Sequence, residues 1–399
     1  MNLDKELQFT KPQIQLILQE VINRKQLCFK EILEMTLKAL MKAERKLFID
    51  EICEGNKGNG YRKIMNSFNG SVLELQIPRD RKGMFKPLLL ELVKTNQEEI
   101  KELAFKLYTR GLSTKDIGEI FDTIYGKKYS KSGVSRLCED SRKEVLKWLE
   151  RPIESYYPVI YIDAHYNNVR RDTVKKEAFN VILGIRPDFT REVLAIVNNP
   201  TESASMWGEI FRTLKERGLE RVDLVVSDGI NGIETVVCEN LPGAELQLCT
   251  VHLKREMIKK VRPEQKKELA EDLKYIFKTN SEDYDLKNAM IRKQEITNKW
   301  DKYYPEISKK LNSDRINYYF TYLNYHPSIQ SMIYSTNWIE RLNKEFKRVL
   351  DIRNSMPNPD SALALAGAVA IKMNTNKYSY PIYKFRNEEK FKNSGKYSD

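Results

Sequence analysis

The spacing of apolar positions changes several times along the chain. From residue 1 to 54 they recur at helical intervals, first as Ile14, Leu16, Ile17 and Val21, then as Ile32, Leu33, Leu37 and Leu40. A Gly-Asn-Lys-Gly-Asn-Gly run at 55–60 ends that pattern. Residues 61–68 and 72–77, joined by Asn69-Gly70, predict a hairpin that leads into a basic turn at 78–83. Helical spacing returns over 99–150. There Ile117, Ile120, Phe121 and Ile124 form one stripe behind the capping residues Ser113 and Thr114. Residues 126–130 read as a turn, and Ser130 as the cap of a second helix that buries Val134, Leu137, Val145 and Leu149. Two prolines within 151–158 then mark a boundary.

Beyond that boundary strands and helices alternate. Residues 159–165, 178–185 and 193–198 read as strands and 203–217 as an amphipathic helix ended by Gly218. A buried strand at 222–227, a helix at 232–241 and a strand at 246–251 follow. This order predicts an α/β fold, a mixed sheet covered by helices. Residues 252–330 lose the alternation and repeat at helical spacing, as at Leu269, Leu273, Ile276 and Phe277, which predicts an all-helical insertion. Helices around 334–350 and 362–373 come next, and the chain from Asn374 reads as a polar, frayed tail. The expected organisation is thus 1–98 (helices and hairpin), 99–150 (a helix-turn-helix-like unit) and 151–260 (first part of the sheet core). It continues with 261–330 (helical insertion), 331–375 (last part of the core) and 376–399 (tail).

Composition adds a direction. Of 399 residues, 68 are Lys or Arg and 56 Asp or Glu, a net charge of +12, and 41% are apolar, which excludes disorder as the dominant state. Residues 151–250 are net negative while both flanks are net positive, the distribution expected of an enzyme that holds cations centrally and a polyanion around them. A generally basic proteome would give the same total. The five cysteines show no regular spacing, so a disulfide scaffold is not expected. The start Met-Asn-Leu-Asp-Lys-Glu lacks the basic and apolar runs of a signal peptide, and the longest apolar stretch falls far short of a membrane span. A cytoplasmic protein with no membrane partner is expected.

Three acids stand where chemistry is plausible. Asp163 follows the apolar strand 159–162, and Asp228-Gly229 ends the strand beginning at Leu224. If the strands are neighbours, two carboxylates share a sheet edge and repel, and a divalent cation would relieve that cost; each Asp could equally cap a turn. On a helix, Asn337, Glu340, Asn343 and Lys344 share one stripe, with Arg341, Lys347 and Arg348 nearby. That stripe suits metal and phosphate binding as well as it suits a solvated face paired through Glu340 and Lys344. Lys127, Lys128, Lys131, Ser132, Ser135 and Arg136 lie in the turn and at the start of the second helix of the 99–150 unit. They fit base and phosphate contacts, or an ordinary helical hairpin with a basic face.

Cys249-x-x-His252 has no second paired motif, and only His165, His252 and His326 exist, so a structural zinc site is not expected. His165 is a weaker candidate, two residues after Asp163 on the same strand face. Trp207, Trp300 and tyrosines 303, 304, 318, 319, 322 and 325 read as core, with base stacking as the alternative.

Several motifs in order extend this reading. They are Asp163 with its strand, Glu202-Ser-Ala-Ser-Met-Trp207 with Leu214-Lys-Glu-Arg-Gly218, and Val225-Val-Ser-Asp228-Gly229. Gln247-Leu-Cys249-Thr-Val-His252 and Tyr334-Ser-Thr-Asn337 with Glu340-Arg-Leu-Asn343 complete the set. Over about residues 60–372 they resemble the mutator-type bacterial insertion-sequence transposases. The resemblance implies a ribonuclease H-like core with an Asp–Asp–Glu triad of Asp163, Asp228 and Glu340, interrupted by the helical insertion. It also implies an N-terminal DNA-binding region matching residues 110–116 and 129–135. His252 would lie near the scissile phosphate, with Cys249, Asn337 and Asn343 as accessory residues. Ser335 and Trp338 depart from the expected Thr and small residue.

The implied function is a transposase that binds terminal inverted repeats, cleaves the ends and joins them to target DNA. Two Mg²⁺ or Mn²⁺ ions about 3.5–4 Å apart would serve it. Its partners would be double-stranded DNA and at least a second copy of itself in a synaptic complex. A nuclease without strand transfer, or a catalytically silent DNA-binding regulator, is the alternative.

Overall fold

The computed structural model describes residues 29–52, 55–68, 71–125, 129–201, 203–353 and 355–385. The helical positions expected before residue 29, the Asn69-Gly70 turn, Gly126, Lys127, Lys128, Glu202 and the tail beyond Phe385 lie outside the described residues. Contacts divide the chain between Ser141 and Arg142 into two compact units, ahead of the proline-flanked boundary expected at residue 151.

In the first unit, helix α1 (Phe29–Leu47) packs on an antiparallel hairpin, β1 (Gly58–Phe68) and β2 (Ser71–Asp80). Leu37 and Met41 from the helix meet Leu73, Leu75 and Ile77 on alternate positions of β2, so the period-two pattern becomes a buried face. Helices α2 (Leu88–Tyr108), α3 (Thr114–Tyr125) and α4 (Lys131–Leu137) follow. Ser113 caps α3 reciprocally: its hydroxyl accepts from the Asp116 N–H at 3.2 Å, and the Asp116 carboxylate accepts from the Ser113 N–H at 3.0 Å. Ser130 caps α4 by accepting from the Gly133 N–H at 3.1 Å. The two helices approach closely because Gly118 has no side chain; a Cβ there would stand 2.6 Å from the Tyr129 carbonyl oxygen.

Two expectations for this region need correction. Ile124 is 59% exposed, and the stripe is carried by Ile117 and Phe121, whose ring meets Tyr129 edge-on at 5.2 Å. The expected single second helix is two, α4 and α5 (Glu139–Leu149), separated at the buried Cys138. Glu139 and Asp140 open α5 with negative charge at its N-terminus, which favours a fresh start there.

The second unit holds a five-stranded mixed sheet made of β3 (Tyr156–Arg170), β4 (Val174–Ile185), β5 (Arg191–Asn199), β6 (Arg221–Ser227) and β7 (Glu245–Leu248). The order is β5-β4-β3-β6-β7; β3, β4 and β5 are antiparallel neighbours, while β3, β6 and β7 run parallel. The near-continuous burial of β4 and β6 explains their unbroken apolar runs. Gly184 lets β4 lie against the Tyr157 ring, which a Cβ would approach to 2.7 Å. Helices α6 (Ala204–Glu216, capped by Ser203) and α7 (Ile233–Asn240) provide the crossovers between parallel strands.

The last strand is shorter than expected. Cys249 starts helix α8 (Thr250–Lys259), so Thr250 and Val251 are helical. The Cys249 N–H donates to the Ser227 carbonyl at 2.8 Å and the Thr250 N–H to that of Tyr334 at 3.1 Å, which turns the chain out of the sheet. Residues 261–330 are helical, with α9 (Lys266–Ile276), α10 (Leu286–Asp301), α11 (Pro305–Leu311), three short 3₁₀ segments and the start of α12 (Pro327–Ile333). Leu269, Leu273, Ile276 and Phe277 are all buried there, as their spacing predicts.

Helix α13 (Asn337–Leu350) then packs on β3 and α14 (Pro359–Thr375) on β5. The segment after α14, expected to fray, is instead docked as far as Phe385. Arg191 donates its N–H to the Tyr378 carbonyl at 3.1 Å, Ile382 donates to that of Phe189 at 2.9 Å, and Phe385 is buried against the Phe189 ring. Aromatic and apolar residues within this polar stretch supply the contact. Among the described residues, no helix is long and apolar enough to cross a membrane.

Candidate active site

The register of the three parallel strands builds the site. Ile162 lies beside Ser227, and Ser227 beside Leu248. The next residues are Asp163, Asp228 and Cys249, which stand in one row; β6 and β7 end at this level, while β3 runs on beside β4 to Arg170. In open α/β sheets the crevice outside the carboxyl ends of parallel strands is where ligands bind.

Asp163 is 8% exposed. One carboxylate oxygen accepts from the Ala164 N–H at 2.9 Å and the other from the Asn343 side-chain amide at 2.9 Å. Burial, reinforced by the negative charge of Asp228, pushes its pKa up to about 7, against the opposing effects of the Asn343 hydrogen bond and the His252 charge. Asp228 is half-buried at the start of a tight loop, its carbonyl accepting from the Ile230 N–H at 2.9 Å. Arg315 clasps this loop: its guanidinium donates to the Gly229 carbonyl at 3.2 Å, to that of Ile230 at 2.7 Å and to the Asn231 side chain at 3.1 Å. A 2.8 Å ion pair with Glu234 anchors the same guanidinium.

Glu340 lies in the first turn of α13, one turn before Asn343. Its carboxylate lies 3.7 Å from His252 Nε2 and 3.7 Å from Arg255, both on α8, and accepts from the Thr336 hydroxyl at 3.3 Å. Cys249 Sγ receives the Thr336 N–H at 3.4 Å. Its hydrogen bond with Cys249 raises the His252 pKa to about 9, beyond what burial takes away, and the charges of Cys249, Glu340 and Asp228 add to it. Burial would raise the Cys249 thiol pKa, but hydrogen bonds to His252 and Thr336 outweigh it and the net shift is downward.

The structure therefore brings Asp163, Asp228, Glu340, His252, Cys249 and Asn343 into one neighbourhood, with Asn343 linking α13 to Asp163 and His252 linking α8 to Glu340. Asn337 stands half-buried at the first position of α13. His165 departs from the candidate role. It is 2% exposed, stacked on Phe179 at 5.3 Å and close to Phe346 at 5.7 Å, and burial, followed by the charge of Lys347, lowers its pKa to about 4, so it packs as a neutral ring. Sequence reasoning missed Thr336, Arg255 and Arg315. Arg255 had a legible signal, falling one helical turn after His252, and Thr336 stands one turn before Glu340. Arg315 had none, because its partners, two backbone carbonyls and the side chains of Asn231 and Glu234, are distant in sequence.

The family described as transposase, Mutator family, matches residues 4–379. The chain belongs to the Mutator family of transposases. The transposase for insertion sequence element IS905 of Lactococcus lactis is 31% identical over 342 residues, 84% of this chain and 85% of that protein. The transposase for insertion sequence element IS1201 of Lactobacillus helveticus is 31% identical, covering 85% of this chain and 92% of its own. The transposase for insertion sequence element IS256 in transposon Tn4001 of Staphylococcus aureus is 30% identical, covering 90% of this chain and 93% of its own. A solved chain from the Drosophila P element transposase strand transfer complex aligns with a TM-score of 0.29 and 11% identity over 77% of this chain and 85% of that one, too loosely to support a conclusion.

In this Mutator-family chain the other sequence-selected residues fall in two places. Lys131, Ser132 and Arg136 are exposed on α4 and Ser135 is half-buried, all in the first unit. Arg341, Lys344, Lys347 and Arg348 are exposed on α13 in the second, where Arg348 pairs with Glu345 at 3.1 Å. Trp207 and Tyr322 are fully buried and Trp300 nearly so, with its indole N–H on Asp272 at 2.7 Å, so they serve as core; Tyr303 and Tyr318 are exposed.

Proposed function

We propose that this chain is a DNA transposase of the Asp–Asp–Glu type, with a ribonuclease H-like core, which cleaves the ends of its element and joins them to target DNA. The observation that carries the reading is that Asp163 and Asp228 each directly follow the paired positions Ile162 and Ser227 of the parallel strands β3 and β6, with α13 delivering Asn343 to Asp163 and Glu340 to His252. The donor set fits a hard divalent cation such as Mg²⁺ or Mn²⁺. Two carboxylates close together, one held partly protonated near neutral pH by burial, have a charge conflict that a cation resolves. Asp163, Asp228 and Glu340 would hold the metal, and bound divalent ions supply Lewis acidity to a water or 3′-hydroxyl nucleophile and to the leaving oxygen.

The protein's own groups have distinct tasks. Asn343 fixes the orientation of the Asp163 carboxylate, and Arg315 holds the loop that carries Asp228. His252, kept cationic at neutral pH, offers an N–H to a phosphate oxygen. Arg255 and the exposed cations of α13 attract the phosphate backbone. The basic face of α4 is the proposed reader of the terminal repeats, and joining two ends calls for at least a dimer on DNA.

Supercoiled plasmid bearing the element ends tests this. Wild-type protein with Mg²⁺ is expected to cleave at the ends, and Asp163→Asn, Asp228→Asn and Glu340→Gln each to lose cleavage while retaining end binding. With pre-cut ends and a target plasmid, joined product is expected. Cleavage without joining would make the chain a nuclease, and end binding without metal-dependent cleavage would make it a regulator.

A further inference from the structure

A cluster of sulfur, nitrogen and oxygen atoms lies beside the carboxylate pair, in a place where the sequence offered only a Cys–His doublet. The ligand atoms of Cys249, His252 and Glu340 lie within 4.8 Å of one another. Zinc with sulfur, nitrogen and oxygen ligands at about 2.0–2.3 Å needs roughly 3.5 Å between ligand atoms. His252 Nε2 and Glu340 Oε1 are already 3.7 Å apart, and small side-chain rotations would bring in the sulfur. At the centre of the cluster the Thr336 hydroxyl lies 3.3 Å from Cys249 Sγ, 3.3 Å from Glu340 Oε1 and 3.5 Å from His252 Nδ1. Thr336 thus marks the point on which the three side chains converge.

Three different elements hold the ligands in place. Cys249 is fixed at the junction of β7 and α8 by its backbone bond to Ser227, His252 lies in the first turn of α8, and Glu340 lies in the first turn of α13. Cys249 is fully buried, whereas the His252 side chain is 35% and the Glu340 side chain 20% exposed, so an ion has an entry path and room for water as a fourth ligand. We propose that Cys249, His252 and Glu340 form a site for Zn²⁺ or a similarly thiophilic divalent ion. Thiolate and imidazole select such a metal over Mg²⁺. Because Glu340 also belongs to the proposed hard-cation set, the two occupancies exclude each other, and zinc bound here withdraws Glu340 from Asp163 and Asp228.

Cobalt reports thiolate ligation directly through a sulfur-to-metal charge-transfer band in the near ultraviolet, whether or not the protein cleaves DNA. Full-length, metal-free protein titrated with Co²⁺ is expected to develop that band and to lose it when Zn²⁺ displaces the cobalt. Cys249→Ser should remove the band, and Asp163→Asn and Asp228→Asn should keep it. His252→Gln, at a partly exposed position that tolerates the change, should weaken Co²⁺ binding about tenfold or more. Absence of the band in wild-type protein, its persistence in Cys249→Ser, or unchanged cobalt affinity in His252→Gln would overturn the proposal. Since the readout is spectroscopic and the Asp variants are expected to retain it, failure here is distinguishable from failure of the transposase reading.

Discussion

Asp163 must be ionised to hold a cation, yet its surroundings oppose that charge. Burial and Asp228 raise its pKa from 3.8 to about 7 in the folded protein. Between those values the folded state keeps a proton that the unfolded state has released, so metal-free stability falls as pH rises from about 4 to about 7 and stays reduced above that. A shift of about three units corresponds to on the order of 4 kcal/mol. Asp163→Asn is therefore expected to be more stable than wild type in chelator at pH 8, with the advantage gone by pH 4. Urea melts across that range check it, and an advantage that persists at pH 4 would contradict it. The two aspartates were legible because each ends or interrupts an apolar strand, and their adjacency needed only the parallel pairing of β3 and β6. His165 was misleading for the same reason. Strand periodicity places it on the face of Asp163, but it cannot show that Phe179 and Phe346 enclose the ring.

At the scale of elements, the helical insertion acts on the site through Arg315. Its guanidinium bonds to two carbonyls and one side chain of the loop after Asp228. Hydrogen bonds to a charged group contribute about 1.5–3 kcal/mol. Arg315→Met should loosen residues 229–231, seen as faster amide exchange there, and should lower cleavage while leaving the rest of the sheet protected. Unchanged exchange would remove Arg315 from this role. The insertion itself was legible from its spacing, with Leu269, Leu273 and Ile276 on a buried face. Its purpose was not, because nothing local marks Arg315 as different from its neighbours. Similarly, one apolar period covered α4 and α5 together, since a break at a buried residue such as Cys138 leaves that period nearly intact.

For the molecule as a whole, charge and fold act on different parts of the task. The net charge of +12 and the exposed cations on α4 and α13 favour a polyanionic partner, and several phosphate contacts release counterions. Binding to end DNA should weaken steeply with salt, by about 10³-fold or more between 50 and 200 mM if six or more phosphates are contacted. Deletion of residues 1–150 should abolish preference for the terminal repeats, and a footprint on those repeats without residues 1–150 would show that the reader lies elsewhere. The mixed sheet followed from the alternation of strands and helices but its strand order did not, and the docking of residues 376–385 stayed hidden because Tyr378, Ile382 and Phe385 are too sparse to set a period. The most direct test of the central claim is anomalous diffraction from crystals of the full chain soaked in Mn²⁺. Manganese held by Asp163, Asp228 and Glu340, and lost in Asp163→Asn, is the expected result; manganese elsewhere, with those three carboxylates unliganded, would contradict it.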